Sequence, residues 1–459
     1  MRLNTHGSAK SDGYWGDKLI DAIINWILKL FGKSLENKKI LRDNITYAKD
    51  YEDISDINFG AIFANSLANK TVTESGCSIT GADGKTSKRA DFINASISKI
   101  WDSGHKITAQ AFGKGGIIIV PYIANQKAYA DIVDQSRLFI ASMQGDDIIA
   151  ATILADAIVK NNRKYYRWTD YNLQNKTHII KNRATDMSGA PIDLAQINEW
   201  ANIQEELVID NVDRILFAYL KNVIDNRKTK DYYGVPITYG SESIIKDIKE
   251  CLEQISSEYE LKRAFVGADD RLFDKNDKLP KNGLFKVLQS DQKDEFWEIF
   301  DPQIRDSSYF ARLNQLFELL EKSIGTSKGI ITPKETRGAT ATEILAAEYD
   351  TFVIVSNMRK NWEKAIQDLA YCYDVLAEYY ALTPTGARGQ YNITFDWDYK
   401  LYENSTETFG QLLEGHSRGA ISAAELRQYI KSGETLEDAQ KKVDEIKQKE
   451  PRLADLIGE

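Results

Sequence analysis

Cysteine is scarce in this 459-residue chain: Cys77, Cys251 and Cys372 stand far apart and form no CxxC pair. That spacing suggests neither a disulfide framework nor a thiolate zinc site, and a reducing compartment is the default expectation. Histidine is almost as sparse. His6, His105, His178 and His416 show no HExxH or comparable spacing, so each reads as structural or exposed rather than as a metal ligand or catalytic base. No stretch approaches ~20 uncharged apolar residues, and the N-terminus lacks the basic, apolar and small-residue order of a secretory signal. The expectation is a protein that neither spans a membrane nor leaves the compartment where it is made. An excess of basic charge is also missing. With 68 acidic residues against 59 basic, the net charge of -9 argues against a grip on nucleic acid through bulk electrostatics and leaves room for local or weak contacts.

What is present suits a large folded chain. A hydrophobic content of 42% and a charged content of 28% predict a sizeable buried core, in more than one domain-sized unit, rather than extensive disorder.

Motifs that carry chemistry are weak. Gly84-Lys85-Thr86 resembles the end of a phosphate-binding loop, but Ile79 stands where the first Gly of that loop belongs, so a turn is the better reading. Gly113-Lys114-Gly115-Gly116 lies between strand-like runs with no helix after it, and reads as hairpin glycines rather than an anion site. The acidic pairs Asp146-Asp147 and Asp269-Asp270 have the chemistry of hard-cation ligands, yet adjacent acids are commonplace on exposed loops. No catalytic constellation, metal site or cofactor site emerges, and a non-enzymatic protein is expected.

The order of elements is more informative. Gly16 to Lys33 places Asp17, Asp21, Asn25 and Lys29 on one face of an amphipathic helix, expected to dock on its own protein or a neighbouring subunit rather than to lie on a bilayer, because that polar face is not enriched in Lys and Arg. Residues 34–104 read as mixed, with a helical piece around Ser87 to Gly104 and a hairpin turn at Asp83-Gly84. Lys106 to Ala184 is rich in β-branched and aromatic residues, broken by Gly115-Gly116, Pro121, Gly145 and Asn161-Asn162, and reads as the main β-region. Ile245, Ile248, Leu252, Ile255 and Tyr259 then form one narrow apolar stripe on a helix from about Ser241 to Phe265. Two short strands, around Leu284 to Leu288 and Phe296 to Phe300, follow in a small α/β insertion. A second striped helix carries Phe310, Leu313, Phe317, Leu320 and Ile324, so the two helices are expected to form an antiparallel pair with the insertion at its tip. Gly325 ends that helix, and a loop containing Gly329, Pro333 and Gly338 leads to Thr340-Ala341-Thr342-Glu343, which fits a capping box. From there the apolar register runs to the Thr383 to Gly386 break, a helix on the order of 60 Å long. One strand in Gly389 to Leu401 and a tail of short, charge-dense helices complete the chain.

This order, with "PYI" at Pro121 to Ile123, the stretch from Arg214 to Ile255, "FDPQIR" at Phe300 to Arg305 and "GATATEI" at Gly338 to Ile344, resembles the portal proteins of tailed bacteriophages, in particular those of siphophages and prophages of Gram-positive bacteria. The resemblance runs from about Leu19 to the end of the long helix and fades after Pro384, and residues 34–104 match poorly. It implies an α+β portal fold: a mixed wing over 1–239, a first stem helix over 240–265, a clip over 266–301 and a second stem helix over 302–325. A tunnel loop over 326–339, a long helix and wing strand over 340–405 and a helical crown over 406–459 follow.

It implies equally a non-enzymatic ring, usually of twelve subunits, at one capsid vertex of the virion, assembled in the host cytoplasm. Double-stranded DNA passes through its channel during packaging and ejection. The partners implied are the terminase large subunit, major capsid and scaffolding proteins and a head-tail adaptor. On this reading Lys328, Lys334 and Arg337 are candidates to touch DNA from the tunnel loop, while Gly325, Gly338, Thr340 and Glu343 cap and hinge it. Glu250, Glu253 and Glu258 would line the stem, where an acidic wall that repels phosphate avoids deep binding wells. Arg271, Lys281 and Lys286 would mark the clip that docks the motor and the adaptor. The competing reading is another phage head or adaptor protein whose long helix serves assembly without lining a channel.

Overall fold

The computed structural model describes residues 35–73, 75–83, 87–227, 232–261, 265–269, 284–288, 297–300, 306–333, 341–382, 388–397, 405–431 and 436–449. It is an α+β structure and divides into two compact units, Met1–Lys334 with Asp350–Trp397, and Glu335–Tyr349 with Asp398–Glu459.

Among the described residues the first unit opens with the helices α1 (Leu35–Glu52), α2 (Phe59–Val72), α3 (Lys88–Trp101) and α4 (Gly104–Lys114), with strand β1 (Gly76–Gly81) between α2 and α3. Asn58 caps α2, its side chain accepting the Ala61 N–H. The α4 helix corrects the expected β-region, whose first segment is helical. Ile107 and Ala111, and Thr108 and Phe112, recur four residues apart and are buried, a periodicity that the β-branched content of the segment obscures. Gly115, at φ +93°, closes the helix in the left-handed conformation that glycine adopts without steric cost, so the glycine run is a helix C-cap and not a hairpin. Asp83 lies in a turn after β1 and Gly84 lies outside the described residues; among the described residues β1 pairs antiparallel with the distant β14 (Tyr391–Asp396) rather than with a hairpin neighbour.

The β-structure centres on a meander. Strands β4 (Leu138–Gln144), β5 (Asp147–Lys160), β6 (Arg163–Gln174), β7 (Thr177–Asp186) and β8 (Pro191–Ile192) lie side by side in chain order, and β9 (Glu206–Asp210) joins on β7. A second sheet has the order β10 (Ala218–Lys221), β2 (Gly116–Ala124), β3 (Lys127–Asp134). Three hairpins turn on adjacent residues of positive φ: Asn125-Gln126, Asn161-Asn162 and Asn175-Lys176. Asparagine, which tolerates this region, begins each of these tight turns in place of the commoner Asn-Gly signal.

The long helix α7 (Ala341–Tyr379) is the spine of the core from Asp350 onward. Val355, Met358, Trp362, Ala365, Ile366, Leu369, Ala370 and Tyr373 are buried there, covering far more than one helical stripe. Polar groups fix its neighbours. The Trp362 indole N–H donates to Thr108 Oγ1 at 2.8 Å, the Arg359 guanidinium to the Thr71 and Lys70 carbonyls, and Arg89 forms a buried ion pair with Asp374.

Helix α5 (Glu242–Leu261) precedes a three-stranded sheet of β11 (Phe265–Asp269), β12 (Leu284–Leu288) and β13 (Trp297–Phe300), in the order β12-β11-β13, and α6 (Asp306–Ile324) follows it. The expected helix to Phe265 therefore ends at Leu261, and Phe265 opens a strand parallel to β12 and antiparallel to β13. In the second unit α8 (Ser405–Ser417), α9 (Ala423–Ile430) and α10 (Leu436–Lys449) form the expected short helices, and Ser422 with Glu425 makes a capping box on α9. The amphipathic segment Gly16 to Lys33 lies outside the described residues. No helix among the described residues is long and apolar enough to cross a membrane.

Candidate functional site

The α5 and α6 helices run antiparallel. Ser241 at the start of α5 meets Ser323 near the end of α6, Oγ to Oγ 2.9 Å, while Cys251 and Glu258 both approach Tyr309. Ile248, Leu313, Leu320 and Ile324 of the two stripes are buried, and Cys251 joins them, whereas Tyr259 and Phe310 are about half exposed. The exposed charges of α5 are mostly acidic, Glu242, Asp247, Glu250 and Glu253 beside Lys246, whereas α6 exposes Arg312, Glu318 and Lys322. Glu250 pairs with Lys246 one turn away, a surface contact of small energetic worth, and Glu258 accepts the Tyr309 hydroxyl at 3.5 Å.

Where α6 ends, Gly325 takes φ +84° and the chain closes a Schellman motif: Gly325 N–H reaches Lys322 O and Thr326 N–H reaches Glu321 O. The loop then folds back on a single carboxylate. Glu321 is only 1% exposed, and its Oε1 accepts the backbone N–H groups of Gly329 (3.1 Å), Ile330 (2.8 Å), Ile331 (2.8 Å) and Thr332 (3.2 Å). Its Oε2 accepts the Thr332 hydroxyl at 2.6 Å. Converging main-chain dipoles thus meet a buried charge that would otherwise be costly, in the arrangement of an anion-binding nest filled by the protein's own side chain. On the other side, Ser327 N–H donates to Thr351 Oγ1 (2.9 Å) and Thr351 N–H to Ser327 Oγ (3.3 Å), which ties the same loop to α7.

Of the charges assigned to this loop, Lys328 is exposed and paired with Glu318 at 2.9 Å. Lys334, Arg337, Gly338 and Thr340 lie outside the described residues, as does the Glu343 side chain; α7 begins at Ala341. Arg271 and Lys281 also lie outside them, and Lys286 is placed only as a backbone position in β12. The clasp of Glu321, Ser327, Thr332 and Thr351 was not anticipated. Its one trace in the sequence is an acid four residues after Phe317 and three before Ile324, on the face otherwise kept apolar.

A cleft of about 260 Å³ lies beside the start of α5, lined by Tyr47, Asp50, Asp53, Asp56 and Lys249 among others. Burial and the neighbouring Asp53 push the Asp50 carboxyl above its ordinary range. The Ser55 hydroxyl and N–H hold Asp53 below it, and Asp56 is lowered by its hydrogen bond to Lys249, 2.6 Å away. These acids are thus engaged separately, and among the described residues no group of three or more His, Cys, Asp or Glu side chains is placed to hold a metal ion. Asp146 and Asp147 sit at the β4–β5 turn and belong to no such group, and Asp270 lies outside the described residues.

Neither models of known families nor curated proteins match the chain.

Proposed function

We propose that the chain is a portal protein of the tailed-phage type, the subunit of a ring through which double-stranded DNA enters and leaves a capsid. The observation that carries this reading is the succession of parts: an antiparallel helix pair around a three-stranded sheet, a braced loop, and a 39-residue helix. In this reading α5 and α6 are the stem, the β11–β13 sheet is the clip that docks a terminase and later a head-tail adaptor, and the loop after α6 faces the channel. The exposed acids of α5 support it physically, because a wall of like charge keeps a sliding polyanion out of deep wells. The energy for packaging would come from a separate ATPase. The α8 to α10 segment corresponds to the crown.

Light scattering on the purified full-length chain tests the proposal. Twelve copies of a 52.0 kDa chain form a particle of roughly 620 kDa. A mass in the range of a closed multi-subunit ring supports the reading. A monomer that persists at high concentration and across salt conditions overturns it.

A further inference from the structure

We infer that Glu321 is a positioning residue, the centre of a two-sided latch that makes residues 326–332 a fixed bridge between α6 and α7; its role in guiding DNA rests on the portal reading, whereas the latch itself does not. The geometry has three parts. Glu321 projects from the last turn of α6 and gathers four successive amides, from Gly329 to Thr332, on one oxygen and the Thr332 hydroxyl on the other. The Thr326 hydroxyl donates to the Glu321 carbonyl, so the side chain and the main chain of one residue hold both ends of the loop. The reciprocal Ser327–Thr351 bonds then join the loop to α7 at a buried threonine.

The location of the latch gives it a consequence. The chain leaves the first unit at Lys334 and re-enters it at Asp350, directly beside Thr332 and Thr351 in sequence. Thr332 and Thr351 are therefore joined through the same small cluster, within the first unit. A displacement of the α6 end would be passed to Thr332 and to α7 together, because the amides of 329–332 are hydrogen-bonded to the carboxylate that α6 carries. A loop held only by its own turns would move with neither helix. In a portal, that coupling would let the stem set the reach of the DNA-facing loop.

Amide hydrogen exchange on the full chain, read in peptides covering 326–333, tests this. In the unmodified protein the 329–332 amides are expected to exchange at least ~100-fold more slowly than unstructured peptide. Glu321→Gln keeps the shape and an acceptor oxygen but removes the charge, and should lower that protection roughly tenfold while peptides of β6 and β7 stay unchanged. Glu321→Ala should remove most of it and open the Lys328-Gly329 bond to trypsin. Ser327→Ala combined with Thr351→Val takes away both hydroxyl acceptors of the Ser327–Thr351 tie and nothing of the Glu321 clasp, yet in a single latch it should also loosen 329–332, by several-fold.

Fast exchange at 329–332 in the unmodified protein overturns the inference. So does a Ser327→Ala/Thr351→Val variant with full protection there, since the two ties would then be independent. A loss of protection in Glu321→Gln that spreads equally over β6 and β7 would make the residue a general stability determinant and overturn it as well. Particle mass, measured on the same samples, reports on the portal reading separately. Rings with an unprotected loop refute the latch alone, and a protected loop in a monomer refutes the portal reading alone.

Discussion

His178 lies in β7 opposite Ile209 of β9, fully buried and stacked on Tyr171 with ring centroids 5.8 Å apart, and neither of its ring nitrogens has a hydrogen-bond partner among the described residues. Burial lowers its pKa from the ordinary 6.5 to about 4. The sign of the linkage follows directly. Between those two values the unfolded chain binds a proton that the folded chain refuses, so stability is lost as pH falls through that window and is unaffected above it. At about pH 4.5 the shift corresponds to roughly 2–3 kcal/mol, a large share of a typical folding free energy. His178→Phe replaces the imidazole with an apolar ring of similar outline and removes this titration. Denaturant unfolding of both proteins near pH 7.5 and near pH 4.5 isolates the effect, since every other titrating group is common to both. The variant should lose roughly 2–3 kcal/mol less than the parent on acidification, and should match or exceed its stability at neutral pH because two buried unpaired nitrogens are gone. Equal losses in the two proteins would refute the argument and place a hydrogen-bond partner or water access at His178.

A Cβ on Gly234 would stand 1.9 Å from the Gly115 carbonyl oxygen, so Gly234→Ala must force two backbone segments apart; a loss of at least ~1–3 kcal/mol, seen as a clear drop in Tm, is expected. Asp374→Ala would leave the buried Arg89 without its main partner and should cost about 3–5 kcal/mol, whereas replacing both Arg89 and Asp374 by apolar residues of similar volume should cost much less; thermal melts of the three variants decide this. Burial raises the Cys77 thiol to about 11 and the Cys372 thiol well above its ordinary value, and Cys251 is enclosed between α5 and α6. A thiol reagent near pH 8 should therefore label the folded chain slowly and all three sites rapidly in denaturant, as mass spectrometry would show.

What was legible in the sequence is what repeats. The stripes of α5 and α6, the long register of α7, the strands β12 and β13 and the asparagine turn at 161–162 all leave periodic or turn-specific marks, and the structure places elements on each of them. The α4 helix was hidden for a physical reason. It is buried on most sides, so it lacks a polar face, and its Ile and Thr residues carry strand propensity that packing overrides. The pairing of β1 with β14 spans more than 300 residues, and nothing local in "GCSITG" specifies its partner. The Glu321 clasp was illegible for a similar reason: its ligands are backbone amides, which every loop possesses, and only the fold brings four of them to one oxygen. By contrast, the charges singled out for the loop and the clip, such as Lys334, Arg337, Arg271 and Lys281, lie outside the described residues. The site therefore rests on Gly325, Lys328 and the acidic α5 face together with the clasp.

The portal reading stands or falls on assembly. Electron-microscopic images of the purified full-length protein, averaged in projection along the symmetry axis of the particle, test it most directly. The account predicts closed rings with an open centre wide enough for a DNA duplex, about 20 Å or more, and a subunit number near twelve. Particles without a continuous central opening, or single subunits at every concentration, would contradict it.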